Sequence, residues 1–205
     1  MSEATPESEA AKTEAPGRHK RTNRREQILR TAADAFATQG FHNTSLADIA
    51  AMLNITPAGV LHHFGSKTDL LTAVLELRDD AEPAPEGGRM LDHLIATVER
   101  NAERPGTTQL YAVLSAESAT ADHPAQEWFR HRYTVLRRRI AGAVLERLDP
   151  ESGDHSRIDD AAAAVIAAMD GLQVQWLLDP EAVDMPAVTE LVIDAVVARL
   201  SQGTH

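Results

Sequence analysis

Two adjacent histidines and a nearby lysine are the first residues of this 205-residue chain that suggest chemistry. They lie in "TPAGVLHHFGSK", residues 56–67, which contains His62, His63 and Lys67. Imidazole and ammonium groups bind metals, transfer protons or contact phosphates. Adjacent residues of a helix point about 100° apart, so His62 and His63 cannot comfortably bind one metal ion. We therefore expect one imidazole to pack and the other to meet a phosphate, which would make binding somewhat sensitive to pH.

The rest of the chain offers no catalytic, metal-binding or cofactor-binding pattern. It has no Gly-rich phosphate loop and no GxSxG, and its other histidines lack a spacing such as HExxH. It also has no cysteine, which excludes disulfides, thiol catalysis and thiolate zinc sites. We therefore expect neither an enzyme nor a bound metal or cofactor.

Small residues precede the histidines at a point where a helix is predicted. Gly59 costs a helix interior about 1 kcal/mol relative to alanine, and Ala58 stands beside it. Small side chains let a helix backbone approach a surface closely. The stretch is therefore predicted to touch a partner.

The charge of the chain is unevenly distributed. The formal net charge is −11, yet residues 17–30 carry six Lys and Arg residues against the single Glu26. Contacts with phosphates are local, whereas bulk charge is screened within about 10 Å. A basic arm ahead of an acidic body is therefore compatible with a nucleic-acid partner.

Composition favours helices and a protein of the cytoplasm. Apolar residues make up 43% of the chain and aromatic residues only 4%. Residues 1–16 offer nothing to bury, so they are predicted to be a disordered tail. We expect no membrane span and no signal segment, and hence a cytoplasmic location without membrane contact.

Helix signals divide the chain into a small unit and a larger body. The first helix is predicted over Thr22–Gln39, with Gly40 as its stop. Short helices follow, capped by Ser45, Thr56 and Ser66. Two short helices joined by a tight turn and packed on a longer one form a helix-turn-helix. Beyond the break at residues 82–88, helices are predicted at Arg89–Glu103, Thr107–Ala121, Pro124–Asp149, Arg157–Asp179 and Met185–Gln202.

The last two predicted helices carry long apolar stripes. Such stripes fit inward packing and half of an intermolecular four-helix bundle equally well. The sequence leaves these two alternatives open.

Residues 24–75, which include "ILRTAADAFATQGF", "TSLADIA" and "HHFGSKTDLL", resemble the N-terminal domain of the tetracycline-repressor (TetR) family of bacterial transcription regulators. The resemblance implies an all-α homodimer that dimerises through its last two helices. It implies an N-terminal three-helix helix-turn-helix DNA-binding domain, here residues 17–68 with the basic arm. It also implies a C-terminal helical ligand-binding and dimerisation domain, residues 69–205. The implied function is a repressor that binds a pseudo-palindromic double-stranded operator and is released by a small molecule.

The resemblance also implies site residues. The positions that match the family's DNA contacts are Arg24 and Arg25 in the arm, Thr44 and Ser45 before the second helix, Thr56, Pro57, Ala58 and Gly59 facing bases, and His62, His63 and Lys67 at the backbone. Leu61 stands where the family commonly has a tyrosine, which removes one phosphate hydrogen bond. The base-facing set is short and apolar, so readout would depend on thymine methyls, water and DNA shape.

A ligand pocket is expected in the body from aromatic residues with a few polar neighbours. The candidates are Tyr111, Ser115, Ser118, Trp128, Arg132, Met169, Gln173 and Trp176. The same residue types also make ordinary core or dimer seam. The alternative function is a DNA-binding regulator without a small-molecule effector, controlled by a protein partner or by its own concentration. A cavity in the body would discriminate between the two.

Overall fold

The computed structural model of the chain describes residues 16–80, 89–148 and 155–202. Within these ranges the chain forms α-helices and one short 3-10 helix, His155–Arg157, and no β-strand. The α-helices are α1 Pro16–Asn43, α2 Leu46–Met52, α3 Pro57–Phe64, α4 Lys67–Asp80, α5 Arg89–Ala102, α6 Pro105–Ser118, α7 Gln126–Arg147, α8 Ile158–Leu178 and α9 Met185–Ser201. The all-α prediction is confirmed.

The predicted helices all appear, with ends shifted by a few residues. The largest change is in α1, which begins at Pro16 rather than Thr22, so the backbone of the basic arm is helical from that point. Gly40 interrupts the helical backbone with φ 77° and ψ 168°, where the sequence predicted a stop. The predicted tail, apart from Pro16, lies outside the described residues, as does the predicted break at residues 82–88.

Local capping positions the helix-turn-helix. Ser45 accepts a hydrogen bond from the N–H of Asp48, and the Asp48 carboxylate accepts one from the N–H of Ser45. This reciprocal capping box satisfies two backbone donors that the start of α2 would otherwise leave open. Asn54 adopts a positive φ of 53° in the turn, and Thr56 caps α3 through the N–H of Gly59. The turn angle between α2 and α3 is thus encoded within a few residues.

The first hydrophobic core joins the helix-turn-helix to the body. Phe36 of α1, Ile49 of α2, Val60 of α3 and Leu71 of α4 are buried in it. Leu114 of α6 belongs to the same cluster. The packing therefore continues across the predicted domain boundary at residues 68–69, and α6 is a shared wall.

The second core lies among α5, α7, α8 and α9. It includes Leu91, Ile140, Val165 and Ile193, one from each of these helices. Although no membrane span was expected from the sequence, α8 is long and apolar enough to cross a membrane by length and composition alone. In this fold its inner face packs against α7 and α9, which makes it a core helix of the body.

Candidate nucleic-acid interface and internal cavity

The start of α3 presents a small, exposed surface. Thr56, Pro57 and Ala58 are exposed and Gly59 is half-buried. On the opposite face Val60 and Phe64 are buried in the first core. The hydroxyl oxygen of Thr56 accepts the N–H of Gly59 at 3.1 Å. The four predicted base-facing residues therefore share one end of a helix that is anchored from behind.

The two histidines of α3 differ in exposure. His62 is exposed, whereas His63 is half-buried beside Phe64, and the imidazole rings meet edge to face at 5.6 Å. Among the described residues no group of three or more His, Asp or Glu side chains is placed to hold a metal ion. Of the two histidines, only His62 is therefore open to contact with a partner.

The predicted cationic contacts are held by aromatic rings. The Lys67 ammonium lies 4.1 Å from the centroid of the Phe41 ring, and the Arg25 guanidinium lies 4.8 Å from that of Phe64. Burial lowers the pKa of Lys67, an effect that Glu117 and Asp48 oppose. These cation–π contacts fix the charges at the edge of the helix-turn-helix. Arg24 is exposed on the same segment.

Thr44 requires a correction to its predicted contact with phosphate. Its side chain is 1% exposed, and its hydroxyl donates to the carbonyl oxygen of Gly40 at 2.8 Å. A buried hydroxyl satisfied by backbone cannot reach DNA in this conformation, so Thr44 ties the end of α1 to α2 instead. Ser45 is exposed at the start of α2, with its hydroxyl donating to Asp48.

A polar junction between α6 and the helix-turn-helix was not anticipated from the sequence. The Glu117 carboxylate accepts the N–H of Phe41 at 2.8 Å and lies 3.7 Å from Nε2 of His123. The His123 ring contacts the rings of Phe41 and His42 edge to face. Burial lowers the pKa of His123, although Glu117 acts in the opposite direction. No sequence signal joins positions so far apart in the chain.

A cavity of about 830 Å³, partly open to solvent, lies between the two cores. Its walls come from both parts of the molecule: α1 and α4 on one side, and α5, α6, α7 and α8 on the other. The volume falls within the range typical of small-molecule sites. The described residues therefore leave a space large enough for a small molecule between the two cores.

The cavity brings together five of the eight predicted pocket residues: Tyr111, Trp128, Arg132, Met169 and Gln173. Ser115, Ser118 and Trp176 do not line it, and their predicted place in the pocket is corrected. The two serines share the face of Tyr111 but lie one and two turns further along α6, where their hydroxyls donate to backbone carbonyls. Trp176 packs instead against the second core.

The polar lining of α5 was missed by the sequence analysis. His93, Thr97, Arg100 and Asn101 follow one another at helical spacing and all line the cavity. Arg100 donates to the Thr97 hydroxyl at 2.9 Å, which holds the guanidinium against the wall. The spacing of three and four residues was a readable signal, because it makes a polar stripe on one face of an otherwise amphipathic helix.

Two buried amides, one on α5 and one on α8, line this cavity. Asn101 is 7% exposed and Gln173 is 4% exposed. Within the described residues, Nδ2 of Asn101 and Oε1 of Gln173 have no hydrogen-bond partner. Buried polar atoms are nearly always paired in folded proteins, so each amide indicates a place for a polar ligand group or water.

Two family models match the chain in succession. Residues 28–74 match the model described as "Bacterial regulatory proteins, tetR family". Residues 87–201 match the model described as "BetI-type transcriptional repressor, C-terminal". The second match alone spans more than half of the chain.

Known proteins of similar sequence and structure agree with these matches. TtgR, an HTH-type transcriptional regulator of Pseudomonas putida, is 27% identical over 190 residues, covering 83% of this chain and 88% of its own. A putative transcriptional regulator from Saccharomonospora viridis, solved in complex with choline, has a TM-score of 0.64 at 22% identity, over 85% of this chain and 96% of its own. The SmeT–triclosan complex has a TM-score of 0.69 at 20% identity, over 86% of this chain and 91% of its own.

These structural likenesses concern the fold alone, whereas the family models match sequence across both halves of the molecule. Helices α2 and α3 lie within the first matched range, and α5 to α9 lie within the second. The chain belongs to the TetR family of bacterial transcription regulators.

Proposed function

We propose that this protein is a cytoplasmic homodimeric repressor that binds a pseudo-palindromic operator and leaves it when a small molecule occupies the cavity. The observation that carries the proposal is the composition of the cavity wall. Leu29 and Ala33 of α1 and Val74 and Leu77 of α4 line it together with residues of the body. A bound ligand would therefore touch the helices on which α2 and α3 pack.

The exposed start of α3 supports entry into the major groove. Its side chains are short, and Val60 and Phe64 behind it are fixed in the core. Ser45 at the exposed start of α2, together with Arg24 and Arg25, supplies groups for phosphate contacts. The two helix-turn-helix units of a dimer would bind half-sites about one turn of the DNA helix apart, or a multiple of one turn.

An exposed apolar face on α8 and α9 supports dimerisation through these helices. Leu178 and Leu191 are 82% and 66% exposed. Small exposed residues continue the face along both helices: Ala163, Ala167 and Gly171 on α8, and Ala187, Ala195 and Ala198 on α9. Small side chains allow helices to approach closely, as four-helix packing between two copies requires. This face also explains why α8 is apolar on more than its buried side.

The cavity favours a small-molecule effector over control by concentration alone. Relatives of this fold have been solved with choline and with triclosan. A ligand shifts the equilibrium between two spacings of the helix-turn-helix units of a dimer only by its difference in affinity for the two arrangements. Contact with α1 and α4 gives a ligand that difference.

Capture of sheared genomic DNA by the purified protein, followed by sequencing, tests the proposal. The matched variants are Ala58→Glu, on the exposed start of α3, and Ala116→Glu, on an exposed position of α6. We expect a few fragments with inverted repeats to be enriched by the native protein and by Ala116→Glu, but not by Ala58→Glu. Uniform recovery, or equal enrichment by both variants, would contradict operator binding through α3.

A further inference from the structure

The charged residues that line the cavity are mostly cationic, although the whole chain carries a formal net charge of −11. The lining contains the guanidinium groups of Arg30, Arg100, Arg104, Arg132 and Arg139, two histidines, and only two carboxylates, Asp34 and Asp170. Arg30 pairs with Glu26 outside the cavity. Leaving Arg30 aside, the lining holds four arginines and two carboxylates.

The two carboxylates do not make a cation site. Asp34 is exposed at the rim. Asp170 accepts a hydrogen bond from the Tyr133 hydroxyl at 2.7 Å, and burial keeps the pKa of Tyr133 above its ordinary value, so the phenol stays protonated and remains a donor. Neither carboxylate is therefore an open counter-ion for a positively charged ligand.

The aromatic faces of the cavity already carry a cation. The Arg132 guanidinium lies 5.4 Å from the centroid of the Tyr111 ring and 5.6 Å from that of Trp128. A quaternary ammonium ligand binds by placing its charge over such rings. Here a quaternary ammonium ligand would have to displace the Arg132 guanidinium or bind next to it. Two positive charges that share one pair of rings repel each other.

Most of the remaining lining is apolar, with Thr97, Thr107 and the two buried amides described above set into it. The apolar lining residues include Leu94, Leu110, Leu136 and Ile166. Arg100 is held on its wall by Thr97, so it is oriented before any ligand arrives. An acidic head group beside the arginines and amides, with an apolar body against the leucines, would satisfy both kinds of wall.

We propose that the effector is an amphipathic organic anion, such as a carboxylate or sulfonate on an apolar framework, and that the cavity disfavours quaternary ammonium compounds. The inference rests on the proposed function only in calling the bound ligand an effector. The predicted ligand has the opposite charge to choline, the cation with which the regulator from Saccharomonospora viridis was solved.

Two dyes that differ in one group test the charge preference without DNA. 8-Anilinonaphthalene-1-sulfonate and N-phenyl-1-naphthylamine share a ring framework, and only the first carries a sulfonate. Trp128 lines the cavity and Trp176 does not, and the chain has no third tryptophan. In a Trp176→Phe background, energy transfer from Trp128 therefore reports on dye bound near the cavity, and the cavity variants below identify the site.

We expect the sulfonate dye to bind roughly tenfold more tightly than the neutral dye at low salt, with the difference shrinking as salt is added. Arg100→Gln should remove most of this difference and leave the neutral dye nearly unaffected. Arg100→Gln removes the hydrogen bond to Thr97, so its melting curve is compared with that of the native protein. Arg139→Gln and Arg138→Gln form a second pair, since only Arg139 lines the cavity.

Several results would overturn the inference. These are equal binding of the two dyes, no binding of the sulfonate dye at low salt, unchanged binding in both Arg100→Gln and Arg139→Gln, or displacement of the sulfonate dye by benzyltrimethylammonium. The assay contains no operator, so its failure leaves DNA binding untouched. Failure of the genomic capture, in turn, leaves the dye result interpretable as a binding site of stated charge.

Discussion

The contact between Glu117 and the turn after Gly40 should show a measurable coupling between these positions. Glu117 accepts the backbone N–H of Phe41 at 2.8 Å, and Phe41 is 7% exposed. Glu117→Ala leaves that N–H without its acceptor. A buried donor that loses a charged partner costs about 1–3 kcal/mol. We expect the free energy of unfolding to fall by about 2 kcal/mol, because the carboxylate is partly solvated.

Gly40→Ala should act on the same contact. With φ 77° and ψ 168°, Gly40 occupies a backbone region that costs other residues about 1–3 kcal/mol. A Cβ at this position would also lie 2.1 Å from Oε1 of Glu117. The alanine therefore adds strain and pushes the carboxylate away from Phe41. In the Glu117→Ala background only the strain remains, so the double variant should be about 1–2 kcal/mol more stable than the sum of the single effects predicts.

Urea unfolding of the native protein, both single variants and the double variant at one protein concentration measures this coupling. Gly142→Ala is the control, since a Cβ there meets no described atom within 4 Å. It should be neutral or stabilise the protein by up to about 1 kcal/mol and add independently to Glu117→Ala. Effects of Gly40→Ala and Glu117→Ala that add to within about 0.5 kcal/mol would refute the assigned contact.

The burial of His123 and the exposure of Leu191 give two more expectations. Burial lowers the pKa of His123 below its ordinary 6.5, so the unfolded chain binds the proton more readily than the folded one. The free energy of unfolding should therefore fall as the pH drops from 7 through 6. A His123→Gln variant whose stability depends equally steeply on pH between 5 and 7 would contradict this. Leu191→Glu should convert the dimer into a monomer in light scattering, whereas Leu145→Glu, on an exposed position of α7, should not; a dimeric Leu191→Glu protein would exclude α9 from the interface.

The helix-turn-helix could be predicted closely because its signals are local. The capping box of Ser45 and Asp48, the Thr56 cap and Pro57 at the first position of α3 each determine backbone geometry within four residues. Such signals do not depend on what the rest of the chain does. The break at Gly40 has the same origin, since only glycine adopts its backbone conformation at low cost.

The burial of Thr44 and the position of Ser115 and Ser118 outside the cavity depend on packing between distant segments of the chain. The family resemblance implied that Thr44 contacts phosphate, but its side chain is buried and its hydroxyl bonds to carbonyl oxygens of α1. Ser115 and Ser118 share the correct face of α6, yet the cavity ends before their level. Helical periodicity gives the face of a side chain but not the depth at which a neighbouring helix closes the wall.

The charge of the cavity could not be read from the sequence, because its arginines come from separate segments of an acidic chain. Arg100, Arg132 and Arg139 are distributed over α5 and α7, and each could have been a solvated surface residue. Bulk charge is screened over about 10 Å, so the excess of cationic groups at the wall controls the field inside even though the protein is anionic.

Operator DNA and the proposed effector are both anions. They would bind at separate cationic sites, so we expect antagonism between them to pass through the shared helices, α1 and α4 among them, rather than through direct competition. Driving release from 1:99 to 99:1 requires a difference in ligand affinity of about 10⁴-fold between the two arrangements. Contacts with the walls that α1 and α4 contribute are therefore where most of that difference should arise.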